Sequence, residues 1–201
     1  DLNNKESLIY EAENILEKMI IDLSNEKIEN IVTNNEKQYA QLLDEKNKSD
    51  ELVNTKIILE NKDVLDIYDI KKQLEKLPNR KIWLKCGGFI TIDKTEALTA
   101  IDVNTGKYTG NRNLEQTLYK VNEEATVEIA KQLRLRDIGG IIIIDYIDMK
   151  KQENKDKIQK LLEQRLKFDR AKTQVEGFTK LDLMEMTRKH ICSHKDRKEN
   201  I

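Results

Sequence analysis

Two aspartates, Asp102 and Asp145, follow apolar stretches of the chain and are the residues best suited to do chemistry. Residues 96–104 read EALTAIDVN, and residues 139–148 read GGIIIIDYID. The four isoleucines predict a strand buried on both faces, as in a parallel sheet. Open α/β sheets bind ligands at the carboxyl ends of their strands, and a carboxylate there is costly unless it is paired or bound to a cation. Either aspartate alone is better explained as a solvent-facing strand end, but the two together indicate a Mg²⁺ site with oxygen ligands.

The segment between these aspartates should bring them together. Apolar residues recur at three- and four-residue steps from Leu114 to Leu133, which predicts a helix that ends near Leu135. Asn113 and Gln116 make a capping box for its first turn. Strand, helix and strand form a βαβ unit, so the two aspartates should end neighbouring or near-neighbouring parallel strands.

The rest of the chain alternates between helical and strand patterns, which predicts an α/β fold. Helices are predicted at 5–21, 36–43, 64–77 (stopped by Pro78) and 151–168, and strands at 28–33, 55–59, 81–85, 89–93, 172–175 and 183–188. The strands at 81–85 and 89–93 should form a hairpin that turns at Gly87 and Gly88.

Three long motifs resemble the ribonuclease E/G family: GGFITIDKTEALTAIDVNTG at 87–106, LRLRDIGGIIIIDYIDM at 133–149 and FDRAKTQVEGFTKLDLMEMTRK at 168–189. The resemblance is dense from 81 to 189 and continues weakly back to residue 8. It implies a partial RNase H-like subdomain at 1–80, a DNase I-like mixed-sheet catalytic subdomain at 81–189 and a tail at 190–201 that leads toward a zinc link. The chain is expected to be a fragment that lacks the S1, 5′-sensor and zinc-link regions, so no zinc is expected in it.

The resemblance also implies an activity, a Mg²⁺-dependent, single-strand-specific endoribonuclease of RNA processing and decay, including rRNA processing. Its products would carry a 5′-phosphate and a 3′-hydroxyl. Asp102 and Asp145 match the metal ligands, with Mn²⁺ as an alternative ion, and Asn104 matches the residue that supports Asp102. Residues i and i+2 of a strand share a face, which agrees with a contact between Asn104 and Asp102. The expected partner is single-stranded RNA, and the full-length protein is expected to be a homo-oligomer in the bacterial cytoplasm.

Basic residues around the predicted site are candidates for phosphate contacts, although each is equally well explained as a solvated surface charge. They are Lys107, Arg112, Arg134, Arg136, Arg170 and Lys172. Residues 1–80 carry 12 basic and 18 acidic side chains, a net charge of −6, whereas the remaining 24 basic and 19 acidic side chains give residues 81–201 a net charge of +5. This asymmetry favours the second part as the polyanion-binding part.

Several other residues are better explained by structure than by chemistry. Asp93 and Glu96 fit turn or surface acids, and Asp148 should face away from Asp145 if the strand continues. The single tryptophan, Trp83, fits core packing better than base stacking. His190 and His194 both lie in the tail, which argues against histidine acid–base chemistry.

Composition excludes some classes of protein. Of the 201 residues, 36% are charged and 38% hydrophobic, and there is no apolar run of the ~20 residues that a membrane helix needs. Two cysteines suit a reducing compartment better than a disulfide framework. A non-catalytic RNA-binding or scaffold fragment and another metal-dependent phosphoesterase remain as alternative functions.

Overall fold

The computed structural model describes residues 28–48, 52–106 and 114–191. It divides the chain into two compact units, Asp1–Glu75 and Lys76–Ile201. No helix in the described ranges is both long enough and apolar enough to cross a membrane.

The first unit contains a small parallel sheet. Its elements are β1 (Asn30–Thr33), α1 (Glu36–Lys48), β2 (Lys56–Leu59), α2 (Val64–Ile67) and α3 (Ile70–Lys76), the last of which ends at the first residue of the second unit. β1 and β2 pair in parallel. The side chain of Asn35 accepts hydrogen bonds from the backbone amides of Lys37 and Gln38 and so caps α1, as the sequence predicts.

The prediction of one continuous helix over 64–77 is wrong. The helix breaks at Tyr68 and Asp69, where Asp69 adopts a positive φ of 54°. Asp63 caps the first short helix, and Lys71 at the start of the second bonds to both Asp63 and Asp66, at 2.7 and 2.8 Å. Aspartate tolerates the left-handed conformation better than most residues, so the chain can turn here without a glycine.

The second unit is a six-stranded mixed sheet with two long helices. Its elements are β3 (Lys81–Trp83), β4 (Phe89–Lys94), β5 (Leu98–Asn104), α4 (Leu114–Leu135), β6 (Gly140–Asp145), α5 (Gln152–Leu166), β7 (Thr173–Phe178) and β8 (Leu183–Arg188). The strand order is β3-β4-β5-β6-β8-β7, with β5 and β6 parallel and the other neighbours antiparallel. The predicted βαβ unit and the predicted hairpin are therefore confirmed.

The core of this unit lies between one face of the sheet and the two helices. Ile101, Val103, Ile142 and Ile144 point toward the helices and are at most 5% exposed. We call the other side of the sheet the open face. Ile141 lies on it and is 51% exposed, so the prediction that the isoleucine strand is buried on both faces is wrong. The cause is the topology, since α4 and α5 both pack on the same side.

Other predicted elements agree with the structure within a few residues. α1 runs five residues beyond its predicted end, and β7 extends to Phe178 across a bulge at Val175 and Gly177. The predicted helix at 5–21 and the capping residue Asn113 lie outside the described residues.

Candidate active site

Asp102 and Asp145 are direct partners in the parallel register of β5 and β6. Adjacent strands lie about 4.8 Å apart, and both aspartates alternate with buried residues of the helix side, so their side chains stand next to each other on the open face. Both are exposed to solvent. The predicted convergence is confirmed, and we call this end of the sheet the carboxylate end.

Asn104 lies on the same face as Asp102, two residues along β5. Its amide nitrogen Nδ2 donates a hydrogen bond of 2.6 Å to Oδ2 of Asp102. The predicted contact is therefore present, and it leaves the other carboxylate oxygen of Asp102 available to a cation. An amide that holds a carboxylate in this way sets the direction of its lone pairs.

Asp145 stands in an unfavourable place for a negative charge. Although Asp145 is exposed, partial burial raises the pKa of its carboxyl, and the charges of Asp102 and Asp148 raise it further. β6 ends at Asp145, so the strand alternation that would turn Asp148 away does not continue. The charges of Asp102 and Asp148 thus oppose the ionisation of Asp145, and a divalent cation bound here would offset that cost.

The connection that follows Asp145 is fastened to α4. The buried side chain of Asn122 donates to the carbonyl of Ile147 at 2.8 Å and accepts from its amide at 3.1 Å. One turn later, the hydroxyl of Thr126 bonds to the hydroxyl of the buried Tyr146 at 2.9 Å. Tyr146 is therefore a core residue, and these bonds hold the two residues that follow Asp145 against α4.

The hairpin between β3 and β4 holds the end of β5. A Cβ on Gly88 would lie 2.8 Å from the carbonyl oxygen of Asn104 and 2.8 Å from Cγ1 of Val121, so only glycine allows this approach. The carboxylate of Glu124 accepts hydrogen bonds from the amides of Lys85 and Cys86 at the turn. Sequence reasoning assigned no functional role to Gly88 or Glu124, although the Gly87-Gly88 pair marks the turn.

The basic residues predicted around the site are not gathered there. Arg134 lies in the last turn of α4 and Arg136 directly after it, before the start of β6. Arg170 and Lys172 precede β7, whose first residue aligns with the start of β6. Five residues of strand, roughly 16 Å, separate that end from Asp145. The predicted position of these four is wrong. Arg134 and Arg136 precede β6, so the predicted βαβ unit already implies that they lie at the end opposite Asp145. The place of Arg170 and Lys172 depends on the direction of β7, which the sequence does not give. Their role in RNA binding stays a prediction, and Lys107 and Arg112 lie outside the described residues.

A different group of side chains extends from the site across the open face. Lys81 pairs with Thr91 on β4, which pairs with Asp102, and Trp83 pairs with Phe89, which pairs with Asn104. Trp83 is 61% exposed, so the prediction that it packs in the core is wrong. Its place at the edge strand explains the difference, because β3 has no neighbour on its outer side. The alternation of side chains along β5, β4 and β3, followed from Asp102, could have predicted that Trp83 lies on the open face.

The other acids and possible metal ligands do not join the site. Asp93 forms an ion pair with Arg80, and Glu96 lies in the turn that begins β5, away from the carboxylate end. Asp93 raises the pKa of Arg80, and the charge of Asp102 adds a smaller effect in the same direction. Among the described residues, no group of three or more His, Cys, Asp or Glu side chains is placed to hold a metal ion.

The chain is similar in sequence to known ribonucleases. The model of the ribonuclease E/G family matches residues 1–191. Ribonuclease G of Escherichia coli (strain K12) is 49% identical over 126 residues, which are 63% of this chain and 26% of that protein. The putative ribonuclease E of Buchnera aphidicola subsp. Baizongia pistaciae is 36% identical over 196 residues, 96% of this chain and 48% of that protein. The chain spans about a quarter to a half of the length of these relatives.

Proposed function

The chain belongs to the ribonuclease E/G family, and from this premise we propose that it is the catalytic part of an endoribonuclease that cleaves single-stranded RNA. The observation that carries the proposal is the register pair of Asp102 and Asp145, with Asn104 bonded to Asp102. The names of the relatives support ribonuclease activity.

We propose that Asp102 and Asp145 hold one Mg²⁺ ion, with Mn²⁺ as an alternative. The donor set fits, because Mg²⁺ binds one or two carboxylates and keeps several of its waters. The raised pKa of Asp145 supports the same assignment. Burial raises it most, the charges of Asp102 and Asp148 add to the effect, and a bound cation would offset both. When bound, the ion offsets the negative charge that develops on the phosphate during hydrolysis.

The residues of the chain have distinct roles in this proposal. Asn104 orients the carboxylate of Asp102, Asn122 fixes the backbone after Asp145, and Gly88 allows the hairpin to approach Asn104. The proposed hydrolysis yields a 5′-phosphate and a 3′-hydroxyl, and no histidine is assigned a role in it.

Other parts of the proposal rest on the family. We assign residues 81–189 to a DNase I-like catalytic subdomain and residues 1–80 to part of an RNase H-like subdomain. The whole protein is proposed to act in RNA processing and decay, including rRNA processing, as a homo-oligomer in the bacterial cytoplasm.

Substitution of the two aspartates in the full-length enzyme tests the proposal. Asp102→Asn and Asp145→Asn keep size and shape but remove the charges that would hold the ion, so we expect kcat/KM on an AU-rich single-stranded RNA to fall ~10²-fold or more. Omission of Mg²⁺ should abolish cleavage by the native enzyme.

Asp156→Asn is the matched control, because Asp156 is an exposed acid on α5, in the helix layer. Full activity in both site variants would refute the assignment of the ligands. Cleavage of a matching single-stranded DNA at the same rate would favour a general phosphoesterase over a ribonuclease.

A further inference from the structure

The exposed aromatic and basic side chains of the hairpin form a defined surface next to the carboxylates. Nζ of Lys81 lies 4.1 Å from the centroid of the Trp83 ring and 3.5 Å from that of Phe89. The two rings are 5.2 Å apart and inclined at 62°. We call Lys81, Trp83 and Phe89 the aromatic platform.

The platform is continuous with the candidate active site. Antiparallel partners share a face, so Trp83, Phe89 and Asn104 form one row across three strands, and Asn104 touches Asp102. Two strand spacings separate Trp83 from β5, roughly 10 Å. Adjacent nucleotides of an extended single strand can span such a distance, so a phosphate at the carboxylates would leave a neighbouring base near Trp83.

The chemistry of the platform fits a nucleobase. An indole that is 61% exposed offers a flat apolar surface that water solvates poorly. Proteins that bind single-stranded nucleic acids place such rings along a basic path, and every base can stack on them. The ammonium of Lys81 lies over one face of the Trp83 ring, so a base would stack on the opposite face. A phosphate of the same strand would pass near this positive charge.

We propose that Trp83 stacks a base of the RNA beside the cleaved phosphate, while Lys81 contacts the backbone. This inference rests on the proposed function, because it takes single-stranded RNA as the ligand. It assigns to the hairpin a base-binding subsite that tolerates any sequence and sets where the strand enters the carboxylate end.

The single tryptophan of the chain makes the proposal directly measurable. A short AU-rich oligoribonucleotide is titrated into the 201-residue chain in EDTA, which prevents cleavage, and tryptophan fluorescence is followed together with the anisotropy of a labelled copy of the RNA. Stacking should quench the tryptophan fluorescence, and the dissociation constant from this quenching should equal the one from the anisotropy of the labelled RNA. Trp83→Ala should weaken binding roughly 5- to 100-fold, whereas Trp83→Phe should keep most of the affinity.

Phe168→Ala is the matched control, since Phe168 is an aromatic residue that is 68% exposed near the other end of the sheet. Replacing single nucleotides by abasic residues should reproduce the effect of Trp83→Ala at one position of the RNA. The proposal is overturned if the RNA binds without quenching, if Trp83→Ala binds as tightly as the native chain, or if this chain binds no RNA.

These experiments distinguish failure of the proposed base-binding subsite from failure of the proposed nuclease function. Quenching by RNA that the full-length enzyme does not cleave would leave the subsite intact and refute the nuclease. Cleavage that depends on Asp102 and Asp145, with no effect of Trp83→Ala on RNA binding, would refute the subsite alone.

Discussion

At the scale of single residues, Asp145 is the side chain whose environment opposes its own charge. Burial and the charges of Asp102 and Asp148 raise its pKa above the ordinary value of 3.8. A carboxyl whose pKa is higher in the folded than in the unfolded chain stabilises the folded chain at pH values below its unfolded pKa. This contribution to the free energy of unfolding is lost as the pH rises through the pKa of the folded chain. Ionised Asp145 should therefore destabilise the folded chain at neutral pH, a common property of sites that bind a cation.

Asp145→Asn should accordingly raise the melting temperature at neutral pH in EDTA, and the gain should vanish below about pH 4. Mg²⁺ should reverse the order, because it stabilises only the form that binds it. Thermal unfolding of both chains across a pH series, with and without Mg²⁺, measures this directly.

Asp156→Asn should show neither effect, since Asp156 lies in the helix layer and away from the proposed ligands. Equal melting temperatures of the native chain and Asp145→Asn at every pH would contradict the electrostatic account of Asp145.

At the scale of elements, the hairpin of β3 and β4 acts as a support for the end of β5. A methyl group on Gly88 would force apart the turn, the carbonyl of Asn104 and Val121 of α4. Gly88→Ala should cost about 1–3 kcal/mol of unfolding free energy. It should also weaken Mn²⁺ binding, measured by electron paramagnetic resonance, because Asn104 would no longer hold Asp102 in place.

Gly140→Ala separates these two effects. Gly140 has a φ of +91°, but a Cβ there would meet no atom within 4 Å. This variant should lose stability through backbone strain and keep its affinity for Mn²⁺. Equal loss of Mn²⁺ affinity in both variants would show that the hairpin has no specific role at the site.

The same elements show what the sequence can and cannot predict. The βαβ unit was predictable because strand and helix periods are local, and they place Asp102 and Asp145 on neighbouring strands. The exposure of Ile141 was not predictable from the sequence, because it results from the packing of both long helices on the same side of the sheet. The break at Asp69 arises from a single backbone angle and has no periodic signal. The position of Lys172 depends on the direction of β7, which the spacing of charges does not encode. That of Arg134 follows from the βαβ unit, because the helix must end where β6 begins.

At the scale of the whole second unit, the charged side chains at the two ends of the sheet are arranged differently. At the carboxylate end, Asp102 and Asp148 disfavour the ionised form of Asp145, whereas the other end contains a buried ion network. The guanidinium of Arg188 bonds to Asp169 through two nitrogens, at 2.8 and 3.1 Å, and to Asp137 at 2.9 Å. It thereby joins the end of β8 to the turn after α4 and to the loop after α5. Although burial alone would lower it, these acids hold the pKa of Arg188 above its ordinary value.

Arg188→Met should be among the most destabilising substitutions in this unit. The side chains of Arg188 and Asp169 are both 0% exposed, so removal of one leaves the other as a buried charge without its partner. Breaking a buried pair in this way costs about 3–5 kcal/mol, a large part of the total stability of most domains. Urea unfolding of the native chain and the variant measures the difference.

The double variant Arg188→Met with Asp169→Leu identifies the cause of that loss. If the unpaired charge is responsible, removing Asp169 as well should recover most of the stability, because an apolar pair of similar volume is often as stable as a buried ion pair. If the double variant is as unstable as Arg188→Met, the contacts of Arg188 with Asp137 and with the carbonyl of Ile138 must carry the stability instead. In either case Mn²⁺ affinity below the unfolding transition should stay unchanged, since this network lies roughly 16 Å along the strands from Asp145.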